Sequence, residues 1–248
     1  MARHIIIPAR LKSTRLPNKP LLDIAGKPMI MHVYQRALQC GFDSVTVATD
    51  SKEIADVISS INAKVCMTDV NHATGTDRLA ETVDKLKLKE DDIIVNIQGD
   101  EPLIPLENVK EVADLLADKP EASVATLCEL IEDEEEIFNS NVVKVVMDKD
   151  GFALYFSRAP IPWQRGYFEQ KQALTGQTYR HIGLYAYRVG FLRRFAEMEP
   201  SRLESLESLE QLRVLWQGEK IAVATAKTKT PPGVDTIEDL EKIRGLMS

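Results

Sequence analysis

Short aliphatic runs recur along the first half of the chain, at Ile5 to Ile7, Val45 to Ala48, Lys64 to Met67, Ile93 to Ile97 and Ser123 to Leu127. They are apolar at successive rather than alternate positions, which marks strands buried on both faces. Between them, apolar residues fall at helical spacing and predict helices over Met29 to Leu38, Ser51 to Ser60, Asp77 to Leu86 and Leu106 to Leu116. This alternation predicts an α/β fold, a mostly parallel central sheet flanked by helices. Right-handed crossovers would then gather the loops at 8–19, 68–76 and 98–105 around one crevice at the sheet's edge.

The pattern changes near residue 139. Val142 to Met147 and Phe152 to Phe156 predict a hairpin around Asp148-Lys149-Asp150-Gly151, where Asp-Gly is a strong turn signal. Residues 158–180 show no period and hold two prolines and Trp163, the composition of an arm or exposed flap. His181 to Tyr187 alternates like a strand, with His181, Gly183, Tyr185 and Tyr187 on one face. Helices are expected over Phe191 to Met198 and Leu203 to Trp216, the latter with a leucine stripe at 203, 206, 209 and 212. Its residues Glu207, Glu210, Gln211 and Arg213 are either solvated or ligand-facing. Ile221 to Thr225 reads as a late strand, and Thr236 to Leu246 as a terminal helix capped by Thr236 with Asp239. No repeat interrupts this plan, so residues 1–248 are read as a single domain with an arm at about 158–180.

Charge sharpens the picture. The chain has 248 residues and a net charge of −7, which argues against a nucleic-acid binder. Against that background, Arg10, Lys12, Arg15 and Lys19 sit in the loop that follows the first strand. They are either a solvated basic loop or a phosphate site; Pro17 and Pro20 restrain the loop, and a triphosphate would relieve the mutual repulsion of the cations. The three cysteines, Cys40, Cys66 and Cys128, have no metal-ligand spacing and suggest a reducing compartment. No run of about 18 apolar residues suggests a membrane span. The amino terminus leaves no room for a signal peptide, so a cytoplasmic protein without membrane insertion is expected.

A second chemical segment is Gln98-Gly99-Asp100-Glu101-Pro102, where a carboxylate follows a buried strand. Asp100 either caps the turn before Pro102 or, beside a phosphate loop, serves as a hard oxygen ligand for magnesium. Asp235, in Pro231-Pro232-Gly233-Val234-Asp235-Thr236, would be an N-cap by local sequence, but Thr236 can take that role and free Asp235 to be a second ligand. Asn71 to Arg78 joins a strand to a helix, and its amides and hydroxyls, Thr74 and Gly75 among them, suit a nucleotide. His72 there is read as structural rather than as a general base.

These segments together resemble the 3-deoxy-manno-octulosonate (Kdo) cytidylyltransferases, also called CMP-Kdo synthetases. The resemblance is carried by Ile7-Pro8-Ala9-Arg10, Ser13 to Pro17, Lys19-Pro20-Leu21, Val47 to Asp50, Gly75 to Arg78, Asn96 to Pro102, Ala153 to Arg158, Leu209 to Arg213 and Gly233 to Thr236. It implies a Rossmann-like nucleotidyltransferase fold with a dimerisation arm, working as a homodimer with CTP and Kdo as substrates and magnesium as cofactor, for lipopolysaccharide biosynthesis. By position it implies nucleotide binding by Pro8, Ala9, Arg10, Arg15, Lys19, Thr74, Gly75, Arg78 and Asp100. Lys19, Arg10 and Asp100 would be catalytic, and Asp100 and Asp235 would bind the metal. Arg78, Gln98, His181, Tyr185, Glu210 and Gln211 would face the sugar. Two positions depart from the family's habit: the loop reads His72-Ala73-Thr74 where His-Gln-Ser is common, and Ser205 stands where a His is common. The acid sugar therefore stays open between Kdo, its 8-amino relative and sialic acid, with a non-catalytic nucleotide binder as the other class. A dinucleotide oxidoreductase does not fit, because no Gly-x-Gly-x-x-Gly follows the first strand.

Overall fold

Ile5, Ile6 and Ile7 are all fully buried, two against one helical layer and one against the other. Successive side chains of a strand point to opposite faces, so an unbroken aliphatic run needs cover on both sides. A computed structural model describes residues 1–11, 16–72, 74–170 and 172–247 of the chain. In it, β1 (Arg3–Ala9) takes that central place. A small hairpin, β2 (Asp23–Ile24) and β3 (Lys27–Pro28), precedes α1 (Met29–Leu38), and the chain returns as β4 (Ser44–Thr49) parallel to β1. α2 (Lys52–Ser59) is capped by the Ser51 hydroxyl, which accepts from the Ile54 N–H at 3.3 Å, and leads to β5 (Lys64–Met67) beside β4. α3 (Gly75–Lys85) then carries the chain back across to β6 (Ile93–Asn96), on the other side of β1. This reversal of strand order makes a crevice beyond the carboxyl ends of β1 and β6.

The second half adds α4 (Leu106–Asp118), β7 (Val124–Leu130), α5 (Glu134–Phe138), the hairpin β8 (Lys144–Met147) and β9 (Ala153–Ser157), and the long strand β10 (Tyr179–Arg188). α6 (Val189–Phe195), α7 (Arg202–Glu207), α8 (Gln211–Trp216), β11 (Ile221–Thr225) and α9 (Ile237–Met247) complete it. The sheet runs β11-β7-β10-β6-β1-β4-β5, with β8 and β9 attached beyond β10. β10 lies antiparallel between β6 and β7, so the mostly parallel sheet of the sequence reading carries an antiparallel insertion.

α9 decides where the chain's end goes. Its Leu240 and Ile243 pack with Leu16, Ile24, Met29 and Val234. Arg244 donates to the Asp23 carbonyl at 2.9 and 2.7 Å. The segment just before α9 is thereby pinned to the mouth of the crevice. Thr236 and Asp239 exchange cap hydrogen bonds as the sequence suggested, with Asp239 Nα–H to the Thr236 hydroxyl at 3.2 Å and Thr236 Nα–H to the Asp239 carboxylate at 3.0 Å.

The expected helix over Leu203 to Trp216 is two helices. Ser208 adopts a left-handed conformation (φ 52°) that stops α7, and α8 begins afresh at Gln211. The leucine stripe breaks with it: Leu209 and Leu212 are buried while Leu206 is 71% exposed. The helix expected to reach Met198 stops at Phe195. The alternation of β10 is interrupted by a bulge between Ile182 and Tyr185. Residues 158–178 leave the sheet, with Phe168 buried against Ile131 and Ile137 beside α5, while Trp163 is 60% exposed.

Candidate active site

The loops after β1, β5 and β6 and the segment before α9 enclose a cavity of about 690 Å³. That is the size of a small-molecule site. Pro8, Ala9, Arg10, Lys19, Thr74, Gly75, Arg78, Gln98, Asp100 and Asp235, all singled out in the sequence, line it. Arg15 lies outside the described residues. Gly99 eases the floor: a Cβ there would stand 3.2 Å from the Pro8 carbonyl oxygen, a tight contact that would push the neighbour by a few tenths of an ångström.

Lys19 occupies the centre. Its ammonium donates to Asp100 Oδ2 at 2.5 Å and to Asp235 Oδ1 at 3.1 Å. Asn18, in a left-handed conformation (φ 55°), and the buried Pro20 turn the loop so that Lys19 points inward. The Val234 N–H donates to the Asp100 carbonyl at 2.9 Å, which fixes the two acid-bearing segments to each other. Burial disfavours the Lys19 charge, yet the two carboxylates outweigh it and hold its pKa above the ordinary value. The neighbouring Glu101 is pushed up to about 8 by burial and by the Asp100 charge, and its Oε2 is buried without a partner.

Arg78 reaches the same cavity from α3 but is itself 4% exposed. Its guanidinium bonds the Thr68 hydroxyl and meets Asp50 at 3.2 Å, so β4 and β5 both orient it. His72 lines the cavity and pairs with Glu81 at 2.5 Å, which makes it a strut of the loop. Glu81 also accepts from Lys85 at 2.7 Å and from the Asp69 N–H at 2.8 Å.

The expected sugar-facing residues do not all share this cavity. Gln98 and Arg78 do; Tyr185, Glu210 and Gln211 line a second one of about 100 Å³, together with Thr76 and Tyr187. The first turn of α3 is the partition, with Thr74 and Gly75 facing the larger space and Thr76 the smaller. His181 stands against Tyr185, ring centroids 5.2 Å apart. The break at Ser208 is what turns Glu210 inward. Burial raises its pKa against hydrogen bonds from Thr76 and Thr74, and burial, with Tyr187 and Glu210 nearby, raises Tyr185 well above its usual value. Of the other charged residues expected on this helix, Arg213 is buried and held by Glu204 at 2.8 and 2.6 Å. Glu207 accepts from the Ser157 hydroxyl at 2.7 Å and the Arg158 N–H at 2.9 Å, latching α7 to the base of the arm. Sequence reasoning missed Thr76, Asp50 and Glu81 as parts of this construction. Thr76 carried a signal, as a hydroxyl beside Thr74 and Gly75 in a strand-to-helix loop; the other two act through Arg78 and His72 and carried none.

Lys19 from the loop after β1 and two carboxylates 135 residues apart, Asp100 and Asp235, meet at the switch point of an α/β sheet, the architecture of a nucleotidyltransferase. The chain belongs to the cytidylyltransferase family, whose model matches residues 4–221. It is 57% identical over 245 residues to the 3-deoxy-manno-octulosonate cytidylyltransferase of Francisella tularensis subsp. novicida (strain U112), covering 99% of this chain and 98% of that one. To the protein of the same name from Vibrio vulnificus (strain CMCP6) it is 54% identical over 249 residues, covering 100% and 99%. Among solved structures it is similar to a CMP:2-keto-3-deoxy-manno-octonic acid synthetase complexed with CTP, with TM-score 0.90 and 44% identity over 100% of this chain and 98% of that one.

Proposed function

We propose that this protein activates Kdo, converting CTP and 3-deoxy-manno-octulosonate into CMP-Kdo and pyrophosphate for lipopolysaccharide assembly in the cytoplasm. What carries the reading is that relatives named for this activity match 98% or more of the chain at 54–57% identity.

In the reaction, the anomeric hydroxyl of the sugar forms a bond to the α-phosphorus of CTP while the bond to the β-phosphate bridging oxygen breaks and pyrophosphate leaves. Such transfers depend on positioning and charge neutralisation rather than covalent help from the protein. Arg10 and Lys19 stand where the triphosphate would lie and offset its charge. Lys19 is pre-aimed by Asp100 and Asp235, so little reorganisation is needed when phosphate arrives. Arg78, locked by Asp50 and Thr68, presents a fixed guanidinium to an anion in the same cavity. Gln98, His181, Tyr185, Glu210 and Gln211 orient the sugar across the first turn of α3.

Asp100 and Asp235 suit magnesium: both are hard oxygen donors, and the Lys19 ammonium between them marks a place that favours positive charge. No group of three or more His, Cys, Asp or Glu set to hold a metal occurs among the described residues, so such an ion would complete its shell with water and phosphate oxygens. Bound there, magnesium would supply neutralisation of phosphate charge and a lowered pKa for the attacking hydroxyl.

The protein acts as a homodimer through the arm, where Trp163 and Tyr167 are exposed. No described helix is long and apolar enough to cross a membrane.

The test is pyrophosphate release in magnesium, crossing CTP and UTP with Kdo, its 8-amino analogue and sialic acid. Release with CTP and Kdo is expected; release only with UTP, or with no acid sugar, overturns the proposal. Asp100→Asn should fold normally by circular dichroism and lose at least about a hundredfold in rate. Near-native turnover by that variant would remove the metal assignment.

A further inference from the structure

The bulge in β10 is plugged by a hydroxyl from the neighbouring strand. Thr126, fully buried on β7, has its Oγ1 3.0 Å from the Ile182 carbonyl oxygen and 2.8 Å from that of Leu184. Its third neighbour is His181 Nε2, at 3.0 Å. A hydroxyl has one proton to give and lone pairs with which to accept. Carbonyl oxygens only accept, so the two already outnumber the single Thr126 proton, and the site gains a bond only if its third neighbour is a donor. The histidine must therefore donate: Nε2 carries the hydrogen. In the other tautomer three acceptors would compete for that one proton, and two of them would face the lone pairs of a single buried oxygen.

Protonated at Nε2, a neutral imidazole leaves Nδ1 as an acceptor. Among the described residues no group bonds Nδ1, and it is not among the unpaired atoms sealed in the interior. The ring is held from two sides, edge-on to Phe156 at 5.0 Å and tilted against Tyr185 at 5.2 Å. Burial pushes its pKa down to about 3, so it stays uncharged at physiological pH.

We propose that Thr126 is a positioning residue that locks His181 in the Nε2–H tautomer, so that Nδ1 accepts a hydrogen bond from a hydroxyl of the acid sugar. This rests on the sugar-site reading given above. It adds a direction to it: a bare imidazole nitrogen repels a carboxylate and selects a donor. The polyol part of the sugar then faces β10, and its carboxylate falls to the cationic side, where Arg78 is.

The experiment pairs long-range proton–nitrogen NMR of the histidine rings with steady-state kinetics in CTP and Kdo. The chain has four histidines, so His181→Gln assigns the signal. The wild-type ring is expected as one tautomer, protonated at Nε2, from roughly pH 5 to 8. Thr126→Val should release the tautomer and raise the KM for Kdo about tenfold, the value of one lost hydrogen bond, with the KM for CTP within about twofold of wild type. Thr126→Ser, which keeps the hydroxyl, should restore both. A wild-type ring protonated at Nδ1, an unchanged Kdo KM in Thr126→Val, or an equal rise in both KM values overturns the assignment. If Thr126→Val does not fold, the wild-type and Thr126→Ser spectra still decide it. If wild type releases no pyrophosphate from CTP and Kdo, the substrate reading fails, and the spectra judge Thr126 independently.

Discussion

Glu81 offers a quantitative test of how the nucleotide-facing loop is held. Burial alone would raise its pKa, but hydrogen bonds from Lys85, the Asp69 N–H and His72 outweigh it and carry it from 4.5 down to about 2. A carboxyl so perturbed is worth at most about 3.4 kcal/mol at neutral pH. Glu81 is 23% exposed and Lys85 51%, so solvent screening reduces this to about 1–2 kcal/mol. Glu81→Gln keeps the shape and removes the charge. A depressed folded-state pKa stabilises fully above the unfolded value and loses that stabilisation as pH falls through the folded one. The substitution should therefore cost about 1–2 kcal/mol at pH 7, under half of that near pH 3, and almost nothing below pH 2. Urea denaturation of both proteins across this range measures the gap, and CTP titrations at pH 7 should show weaker binding as the His72 strut loosens. An equal cost at pH 7 and pH 3, or no cost at either, would refute the reasoning.

Two further outcomes follow from the architecture. Leu212→Ala should cost about 2–5 kcal/mol in thermal or urea denaturation, whereas Leu206→Ala should stay within about 0.5 kcal/mol; comparable losses would mean that the helix is continuous through Ser208. Trp163→Glu should shift the protein towards monomer in sedimentation velocity, and a wild-type monomer at micromolar concentration would overturn the homodimer.

What could be read from the residues was whatever local pattern dictates. Met29 to Leu38 was legible as a helix to the residue, and Ile5 to Ile7 as a doubly covered strand, because period and burial agree there. Thr236 betrayed its cap by spacing alone. Ser208 was not legible: its neighbours are good helix formers, and the break is stabilised from outside, by Glu207 on the arm's base and Glu210 on the turn of α3. The β10 bulge was hidden for the same reason, since the hydroxyl that fills it comes from Thr126, 56 residues before Ile182. The antiparallel insertion of β10 is a choice of partner strand, which alternation along one strand cannot reveal. Within the site, the lining of the large cavity followed from loop order. The partition between the two cavities did not, because it depends on which side of one helical turn each hydroxyl faces.

The seat of α9 bears on how the protein is made. On a chain leaving the ribosome Lys19 precedes Asp235 by 216 residues. Until Asp235 is made, Lys19 has only Asp100 of the two carboxylates to steady it, whereas strands β1 to β10 are complete by residue 188. A chain cut before residue 235 would lack one of the two carboxylates that hold Lys19, together with the α9 side chains that pack on Leu16, Ile24 and Met29.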